Sequence, residues 1–242
     1  MGAINGGARN IVTNGLILNL DAANYKSYPG SGTTWIDLSG TNRNGTLTNG
    51  PTFNSTNAGG IILDGVDDSY SVSNISLNTG SFTLECWFKY QSHSLYLPSV
   101  CHAGDYWSGD SQTGWGFGQN GGQSFYQFQM AELGAKNSVA LTSMTHNTIY
   151  NFIGTRTISG TQQILRGYVN GVLVGTTTGN TIFNLSTSSY FPGYNPTILT
   201  SKQYSYTGPP PATIYNIKVY TRDLSATEIL QNFNSTRARF GI

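Results

Sequence analysis

Apolar and polar residues alternate over short stretches along most of the chain, and Gly, Asn, Ser or Pro separates each stretch from the next. Alternation with a period of two is typical of strands that bury one face. We predict strands at residues 16–21, 46–53, 60–72, 82–90, 115–118, 124–130, 139–145, 150–158 and 214–220. No helical pattern lies between these stretches, so we expect the strands to pair antiparallel.

The clearest local signal lies within residues 164–177, where Asn170 and Gly171 separate two apolar stretches. Asn-Gly supplies the two positive-φ residues of a type I′ turn. The sequence therefore predicts a β-hairpin with its turn at these two residues.

One helix is predicted, at the C-terminal end of the chain. Ser225 and Glu228 have the spacing of a capping box, in which the serine hydroxyl accepts from the Glu228 amide and the carboxylate accepts from the Ser225 amide. Leu230 and Phe233 continue one apolar face. The predicted fold is all-β, a two-sheet antiparallel jelly-roll sandwich with one C-terminal helix.

The chain ends and the composition bound the organisation. Residues 1–14 are rich in Gly and Asn, which predicts a flexible arm that becomes ordered against a neighbouring subunit. Residues 15–242 contain no break in composition, so we expect one domain there. The chain shows no secretory signal and no stretch of eighteen apolar residues, so membrane insertion is not expected.

The charge balance excludes one class of partner. Only 10% of the residues are charged and the net charge is +1, whereas nucleic-acid binding requires a basic surface. Aromatic residues make up 12% of the chain, enough to form a core.

Three carboxylates lie close together in the sequence, at Asp64, Asp67 and Asp68. Carboxylate oxygens are the ligands that Ca²⁺ prefers, so these residues are a candidate calcium site. The alternative is a solvated turn, because Asp and Gly are also the residues that tight β connections use.

The sequence does not predict an enzyme, and we assign no catalytic residue. Glycoside hydrolysis requires two carboxylates at a fixed separation. The chain has only three glutamates, Glu85, Glu132 and Glu228. We expect Glu228 to cap the helix, Glu132 to lie in a turn and Glu85 to stand alone in a strand. The glycines of residues 114–122 are interpreted as turns and bulges.

Aromatic residues in loops are the candidates for binding. Asp105, Tyr106, Trp107 and Asp110 place two rings beside two carboxylates, an arrangement that suits a sugar. The alternative is that Trp107 folds into the core, as we expect for Trp35, Trp87 and Trp115. Tyr204 and Tyr206 lie beside a proline run and are candidates for contact with a protein partner.

The chain has two cysteines, Cys86 and Cys101, which are too few for a disulfide framework. If the strands around them form a hairpin that turns near His93, the two thiols could face each other. Whether they form a bridge stays open at this point.

Several stretches together resemble the LamG-like jellyroll branch of the concanavalin A-like lectin/glucanase superfamily. The matching stretches are, in order, GLILNLDA at 15–22, LDGVDD at 63–68, FTLECWF at 82–88, YVNG at 168–171, and IKVY at 217–220 followed by Arg222, Leu224, Ser225 and Glu228. The resemblance implies a lectin-like sandwich. The wider family often has Ile-Asp-Glu before its last strand, whereas this chain has Ile214, Tyr215 and Asn216, which weakens any cation site there.

Two further stretches are similar to stand-alone versions of this domain encoded by tailed bacteriophages. They are residues 18–35 near the start and residues 214–241 near the end. This resemblance implies a non-enzymatic virion surface protein, a head decoration or a tail-fibre component, that is made in the host cytoplasm and contacts other virion proteins. We expect a homo-oligomer or many copies on the particle, with glycans as further ligands. The alternative is a bacterial carbohydrate-binding module that assists a separate enzyme.

Overall fold

The computed structural model describes residues 10–91, 99–104, 113–119, 125–133, 135–185, 199–201 and 211–242. The strands are β1 (Leu16–Asp21), β2 (Thr34–Trp35), β3 (Gly45–Thr48), β4 (Thr52–Asn54), β5 (Gly60–Leu63), β6 (Ser69–Val72), β7 (Phe82–Tyr90), β8 (Ser99–Gly104), β9 (Gly114–Gln119), β10 (Phe125–Glu132), β11 (Ala135–Ser143), β12 (Ile149–Ser159), β13 (Gln162–Val169), β14 (Val172–Gly179), β15 (Leu199–Thr200) and β16 (Ala212–Tyr220). Helix α1 (Ala226–Thr236) follows, and two 3₁₀ segments lie at Thr56–Ala58 and Arg237–Phe240.

The strands form two sheets, and the described strand pairs are antiparallel. Sheet A has the order β14-β13-β12-β7-β16-β5-β4, with β1 also paired to β16. Sheet B has the order β11-β10-β9-β8-β15-β6-β3-β2. The prediction of a two-sheet antiparallel jelly roll with one C-terminal helix is therefore confirmed.

Two of the stretches predicted as single strands each contain two strands, and the two strands lie in different sheets. The stretch 46–53 turns at Asn49 and Gly50, with φ values of 68° and 102°, and passes from β3 in sheet B to β4 in sheet A. The stretch 60–72 turns at residues 64–68 and passes from β5 in sheet A to β6 in sheet B. Alternation alone could not show these crossings because it continues on both sides of each turn.

The core lies between the sheets and is rich in aromatic rings. Phe88 and Phe152 of sheet A pack edge to face with ring centroids 5.0 Å apart. Phe117 of sheet B lies 5.8 Å from Phe152 and 5.6 Å from Phe128. These four side chains are fully buried, and each contributes about 1.5 to 3 kcal/mol to folding by its removal from water.

The predicted hairpin is present as β13 and β14. Its turn residues Asn170 and Gly171 have φ values of 51° and 78°, as the type I′ geometry requires. A Cβ at Gly171 would lie 3.0 Å from the ring of Phe233, so the hairpin tip packs directly against α1.

The predicted helix is also present, and its capping box has both bonds. The Ser225 hydroxyl accepts from the Glu228 amide, and the Glu228 carboxylate accepts from the Ser225 amide at 2.9 Å. The helix covers the outer face of sheet A, where Phe233 and Phe240 stack on Trp87 with centroids 5.5 Å and 4.7 Å away. Among the described residues, no helix has the length and apolar character needed to span a bilayer.

Part of the predicted arm packs against this helix. The amide of Val12 donates to Asn232 Oδ1 at 2.8 Å, and the Tyr220 hydroxyl donates to the Val12 carbonyl at 3.1 Å. Val12 is buried against Ile229 and its neighbours. The expectation that the arm orders only against another subunit is wrong for residues 10–14, because side chains of the same chain bind their backbone. Residues 1–9 lie outside the described residues.

The two cysteines do not lie on a hairpin. Cys86 belongs to β7 of sheet A and Cys101 to β8 of sheet B, so they face each other across the core. Both thiols are free and fully buried. Burial, together with the hydrogen bond to Cys101, raises the pKa of the Cys86 thiol.

Candidate functional site

The outer face of sheet B carries a continuous line of polar and glycine residues, which we call the polar row. Strand register places one member on each of the eight strands. In sheet order they are Ser138, Gln129, Gly116, His102, Thr200, Ser71, Thr46 and Thr34. Because side chains alternate along a strand, the adjacent positions point inward and build the core, for example Phe117, Phe128 and Leu199.

The polar row is buried at its centre and exposed at one end, where Thr46 and Thr34 lie. Gln129, His102 and Thr200 are 2%, 3% and 4% exposed. Ser71 is half-buried, and Thr46 is exposed. The exposed end is therefore where a ligand can reach the row without rearrangement of its centre.

Hydrogen bonds fix the orientation of the central side chains. The Ser99 hydroxyl donates to the Phe117 carbonyl at 2.8 Å and lies 2.8 Å from His102 Nδ1. Since the hydroxyl has only one proton and gives it to the Phe117 carbonyl, His102 Nδ1 is the donor in the second bond. The Thr200 hydroxyl donates to the Tyr70 carbonyl at 2.6 Å.

Strand β9 crosses the row with glycines instead of side chains. Gly114, Gly116 and Gly118 all lie on the outer face, opposite Ala131, Gln129 and Gln127 of β10 respectively. A Cβ at Gly116, where φ is 147°, would lie 2.6 Å from His102 Cβ. The interpretation of the glycines as turns is therefore wrong for Gly114, Gly116 and Gly118, which are strand positions, whereas a bulge does occur on β8 between Ser99 and Cys101, opposite Gly118 and Phe117.

This arrangement offers chemistry that suits a sugar. Hydroxyl, amide and imidazole groups provide both donors and acceptors, which is what sugar hydroxyls require. The glycine strand leaves bare backbone between Gln129 and His102. A few polar groups are enough to orient a ligand, and the members of the row that are exposed are Thr46 and Thr34.

The predicted aromatic loop follows directly from this face. Residues 105–112 connect Gly104 of β8 to Thr113, which precedes β9. Asp105, Tyr106, Trp107 and Asp110 themselves lie outside the described residues, so their assignment stays a prediction. The same holds for the second candidate region, which contains Tyr204 and Tyr206.

The structure brings the three acidic residues of the candidate calcium site together. One carboxylate oxygen from each of Asp64, Asp67 and Asp68 lies within 4.8 Å of the others. Asp64 and Asp67 are exposed, whereas Asp68 is 5% exposed. The cluster forms the connection between β5 and β6.

The same carboxylates also build the turn. Asp64 Oδ1 accepts from the amides of Val66 at 2.8 Å and Asp67 at 3.3 Å, and Asp68 Oδ2 accepts from the Asp64 amide at 3.1 Å. The bond from Val66 is the main reason that the pKa of Asp64 lies below its ordinary value. Burial raises the pKa of Asp68. The geometry is compatible with both a calcium site and a self-contained turn, so the calcium assignment stays a prediction.

A second polar centre lies under α1, and the sequence did not reveal it. The Glu85 carboxylate, fully buried on β7, accepts from Lys218 Nζ at 3.1 Å and from Trp87 Nε1 at 3.0 Å. It also accepts from the side-chain amides of Asn151 at 3.2 Å and Asn232 at 3.0 Å. Four donors on three strands and the helix therefore meet at one carboxylate.

Glu85 was expected to stand alone, and that expectation is wrong. Strand β7 is central in sheet A and is covered on both faces, so the outward position of Glu85 is buried beneath α1. Trp87 is buried as expected, but it lies under the helix and not between the sheets. A signal was present in the sequence, because Lys218 and Asn216 are polar residues within the apolar stretch of β16.

The family model of the concanavalin A-like lectin/glucanases superfamily matches residues 64–230. The chain belongs to this superfamily. No curated protein matches the sequence of this chain.

Solved structures with the same fold have different functions. A sialidase from Trypanosoma rangeli in complex with sialic acid matches with a TM-score of 0.64 and 17% identity, over 93% of this chain and 33% of the sialidase chain. The receptor-binding domain of a botulinum neurotoxin C/D mosaic serotype matches with a TM-score of 0.66 and 14% identity, over 92% of this chain and 51% of that chain. The chain thus spans about a third of the sialidase chain and about half of the neurotoxin domain chain. At these identities the likeness shows the fold alone.

The comparison contradicts the prediction that the protein is not an enzyme. Several structures with this fold are sialidases, including one trapped as a covalent intermediate with difluorosialic acid at 18% identity. The small number of glutamates bears only on hydrolysis by a pair of carboxylates. Sialidases use a tyrosine nucleophile, so a missing carboxylate pair does not exclude glycosidic chemistry for a member of this superfamily.

Proposed function

We propose that the protein binds carbohydrate on the outer face of sheet B and presents this face at the surface of a bacteriophage particle. The observation that carries the proposal is the polar row, which crosses all eight strands of one sheet without an apolar side chain. A saccharide would first contact the exposed end of the row, which is formed by Thr46 and Thr34.

Two further observations support carbohydrate as the ligand class. The chain belongs to a superfamily that is named for lectins and glucanases. One protein of the same fold is a receptor-binding domain, and others are sialidases in complex with sialic acid or its analogues. Loop residues Tyr106 and Trp107 connect to the same face and would add stacking surface.

The virion assignment rests on the sequence resemblance at residues 18–35 and 214–241. In this proposal the protein is made in the host cytoplasm and is incorporated in many copies as a head decoration or tail-fibre component. Its protein partners are then other virion proteins, with Tyr204 and Tyr206 as candidate contacts. Mass spectrometry of purified virions tests this part, and the absence of the protein from the particles would reject it.

A second candidate is a carbohydrate-binding module that assists a separate enzyme. The observation in its favour is that the matching part is 33% of the sialidase chain. Both candidates bind carbohydrate, so a binding assay does not separate them. Mass spectrometry of purified virions does, because only the first candidate is part of the particle.

A glycan array tests the binding face. Thr46→Lys and Ser71→Lys each place a long cation on the polar row, while Thr176→Lys makes the same kind of change at an exposed position on β14 of sheet A. We expect the two row variants to bind at least about tenfold more weakly, which is about 1.4 kcal/mol, and the control to bind as the wild type does. Trp107→Ala tests the loop in the same way.

The possible results of the array differ in meaning. Wild-type protein that binds no glycan would reject the carbohydrate proposal. Row variants that bind as well as Thr176→Lys, with unchanged unfolding curves, would reject sheet B as the site. Loss of binding by Trp107→Ala alone would move the site from the sheet to the loop.

A further inference from the structure

Four Asn-Gly pairs lie within the described residues. They are Asn14-Gly15, Asn44-Gly45, Asn49-Gly50 and Asn170-Gly171. In such a pair the glycine nitrogen can attack the asparagine side-chain carbon, because no side chain on the glycine hinders it. Ammonia leaves and a succinimide forms, and water then opens the ring to aspartate or isoaspartate. The structure allows the four pairs to be ranked for this modification.

Hydrogen bonds restrain three of the asparagine side chains. Asn44 Oδ1 accepts from the Asp37 amide at 3.0 Å, and Asn170 Oδ1 accepts from the Asn151 amide at 2.9 Å. Asn49 Nδ2 donates to the Asp67 carbonyl at 3.1 Å. Each bond must break before the side chain can rotate to the attacking nitrogen, which slows the reaction about tenfold.

Asn49 has a second disadvantage. Its pair lies beside the acidic turn, and a Cβ at Gly50 would be 3.9 Å from Asp68 Oδ1. The glycine amide must lose its proton before it attacks, and nearby carboxylates oppose the negative charge that results.

Asn14 is in the opposite situation. It is exposed, and its side chain makes no hydrogen bond within the part of the chain that the structure describes. Arg222 Nε donates to the Asn14 carbonyl oxygen at 2.9 Å. That oxygen belongs to the same peptide group as the Gly15 nitrogen. When the nitrogen loses its proton, the charge spreads onto this oxygen, where the guanidinium stabilises it.

We propose that Asn14 is a site of spontaneous deamidation that Arg222 promotes. Base removes the Gly15 amide proton, the nitrogen forms a bond to Asn14 Cγ, and the amide group of the side chain leaves as ammonia. Water then adds to one carbonyl of the succinimide and restores an open chain with one new carboxylate. No oxidant or cofactor takes part.

Other charges near Arg222 do not remove its effect. Glu228 bonds to the terminal nitrogens, with Oε1 2.6 Å from Nη2, and leaves Nε directed at Asn14. Asp223 and the Tyr220 hydroxyl are the remaining titratable groups that interact with the guanidinium. The pairing with Glu228 raises the pKa of Arg222, so the cation persists at the alkaline pH at which deamidation is fastest.

The modification has a structural consequence. Isoaspartate adds one carbon to the main chain inside the turn that the Leu16 amide closes on the Thr13 carbonyl at 3.1 Å. The neighbouring Val12 is bound to Asn232 and Tyr220. We therefore expect the modified chain to release residues 10–13 from helix α1.

The test is peptide mapping by mass spectrometry after incubation of the full chain at pH 7.5 to 8.5, with aspartate and isoaspartate separated by chromatography. We expect deamidation, seen as the mass increase from amide to acid, to be at least about tenfold faster at Asn14 than at Asn44, Asn49 or Asn170. Arg222→Gln should slow deamidation at Asn14 about tenfold and leave the rates at the other three asparagines unchanged. Hydrogen exchange of the Val12 amide should rise together with isoaspartate.

The control is Arg43→Gln, because Arg43 also donates through Nε to a backbone carbonyl, that of Asn74 at 3.0 Å. It should leave the Asn14 rate unchanged. The other three asparagines in the same molecule report whether a variant has lost its fold. Equal rates at Asn14 and Asn170 in the wild type would overturn the site, and an unchanged Asn14 rate in Arg222→Gln would overturn the role of the arginine.

Discussion

The buried ion pair under α1 provides a sharp test of how the helix is held on sheet A. Lys218 and Glu85 are 2% and 0% exposed, with Nζ 3.1 Å from Oε1. Lys218→Met keeps the apolar stem of the side chain and removes the charge. The Glu85 carboxylate then stays buried with three neutral donors, from Trp87, Asn151 and Asn232.

Breaking a buried ion pair by removal of one partner costs about 3 to 5 kcal/mol, because the remaining charge is uncompensated. Because three hydrogen bonds to the Glu85 carboxylate remain, we expect Lys218→Met to lose stability at the lower end of this range, about 3 kcal/mol. For a domain of this length that loss lowers the melting temperature by about 6 to 12 °C. Glu85→Gln added to Lys218→Met removes both charges, so the double variant should be more stable than the sum of the two single losses by at least about 1 kcal/mol.

The measurement is urea unfolding followed by tryptophan fluorescence, with the slope against urea as a check on cooperativity. Lys26→Met is the matched control, because Lys26 is exposed, and it should change stability by no more than about 0.5 kcal/mol. A loss below about 1 kcal/mol for Lys218→Met, or strictly additive losses in the double variant, would refute the argument that this charge pair anchors the helix.

Three further predictions concern the helix start and the acidic turn. Ser225→Ala should cost about 0.5 to 2 kcal/mol in thermal unfolding, because the Glu228 amide loses its acceptor, and an unchanged melting temperature would contradict this. Hydrogen bonds from Arg222 lower the pKa of Glu228 from 4.5 to about 2, so its contribution is fully present above pH 4.5 and is lost as pH falls toward 2. Glu228→Gln should remove that part of the pH dependence, and an unchanged profile would count against it. If Asp64, Asp67 and Asp68 hold Ca²⁺, a chelator should lower the unfolding temperature in calorimetry, and identical curves would leave only the turn.

The sequence predicted the elements that depend on local chemistry. The hairpin at Asn170 and Gly171 and the capping box at Ser225 each require specific residues at fixed spacing, and both are present. The sheet crossings at residues 49–50 and 64–68 were missed because a turn between sheets uses the same residues as a turn within one sheet.

The environment of the site was harder to predict, because burial depends on which strands become central. Glu85 and His102 are polar residues in alternating strands, and alternation alone predicts that they face solvent. Helix α1 covers Glu85, and His102 is 3% exposed in the middle of sheet B. Neither position can be distinguished from a solvated one until the strand order is known.

The polar residues on the two outer faces of the sandwich lie in different surroundings. On sheet A, α1 lies over the Glu85 carboxylate, which accepts from four donors of the same chain, and the Val12 amide binds the helix at Asn232. On sheet B the row continues from a buried centre to exposed hydroxyls, where water is the competitor for a sugar. Gly116 has no room for a side chain, because a Cβ there would lie 2.4 Å from the Cys101 carbonyl oxygen and 2.6 Å from His102 Cβ. Function must therefore be argued from the exposed positions of the row, Thr46 and Thr34, because the fold itself is shared by binding domains and enzymes.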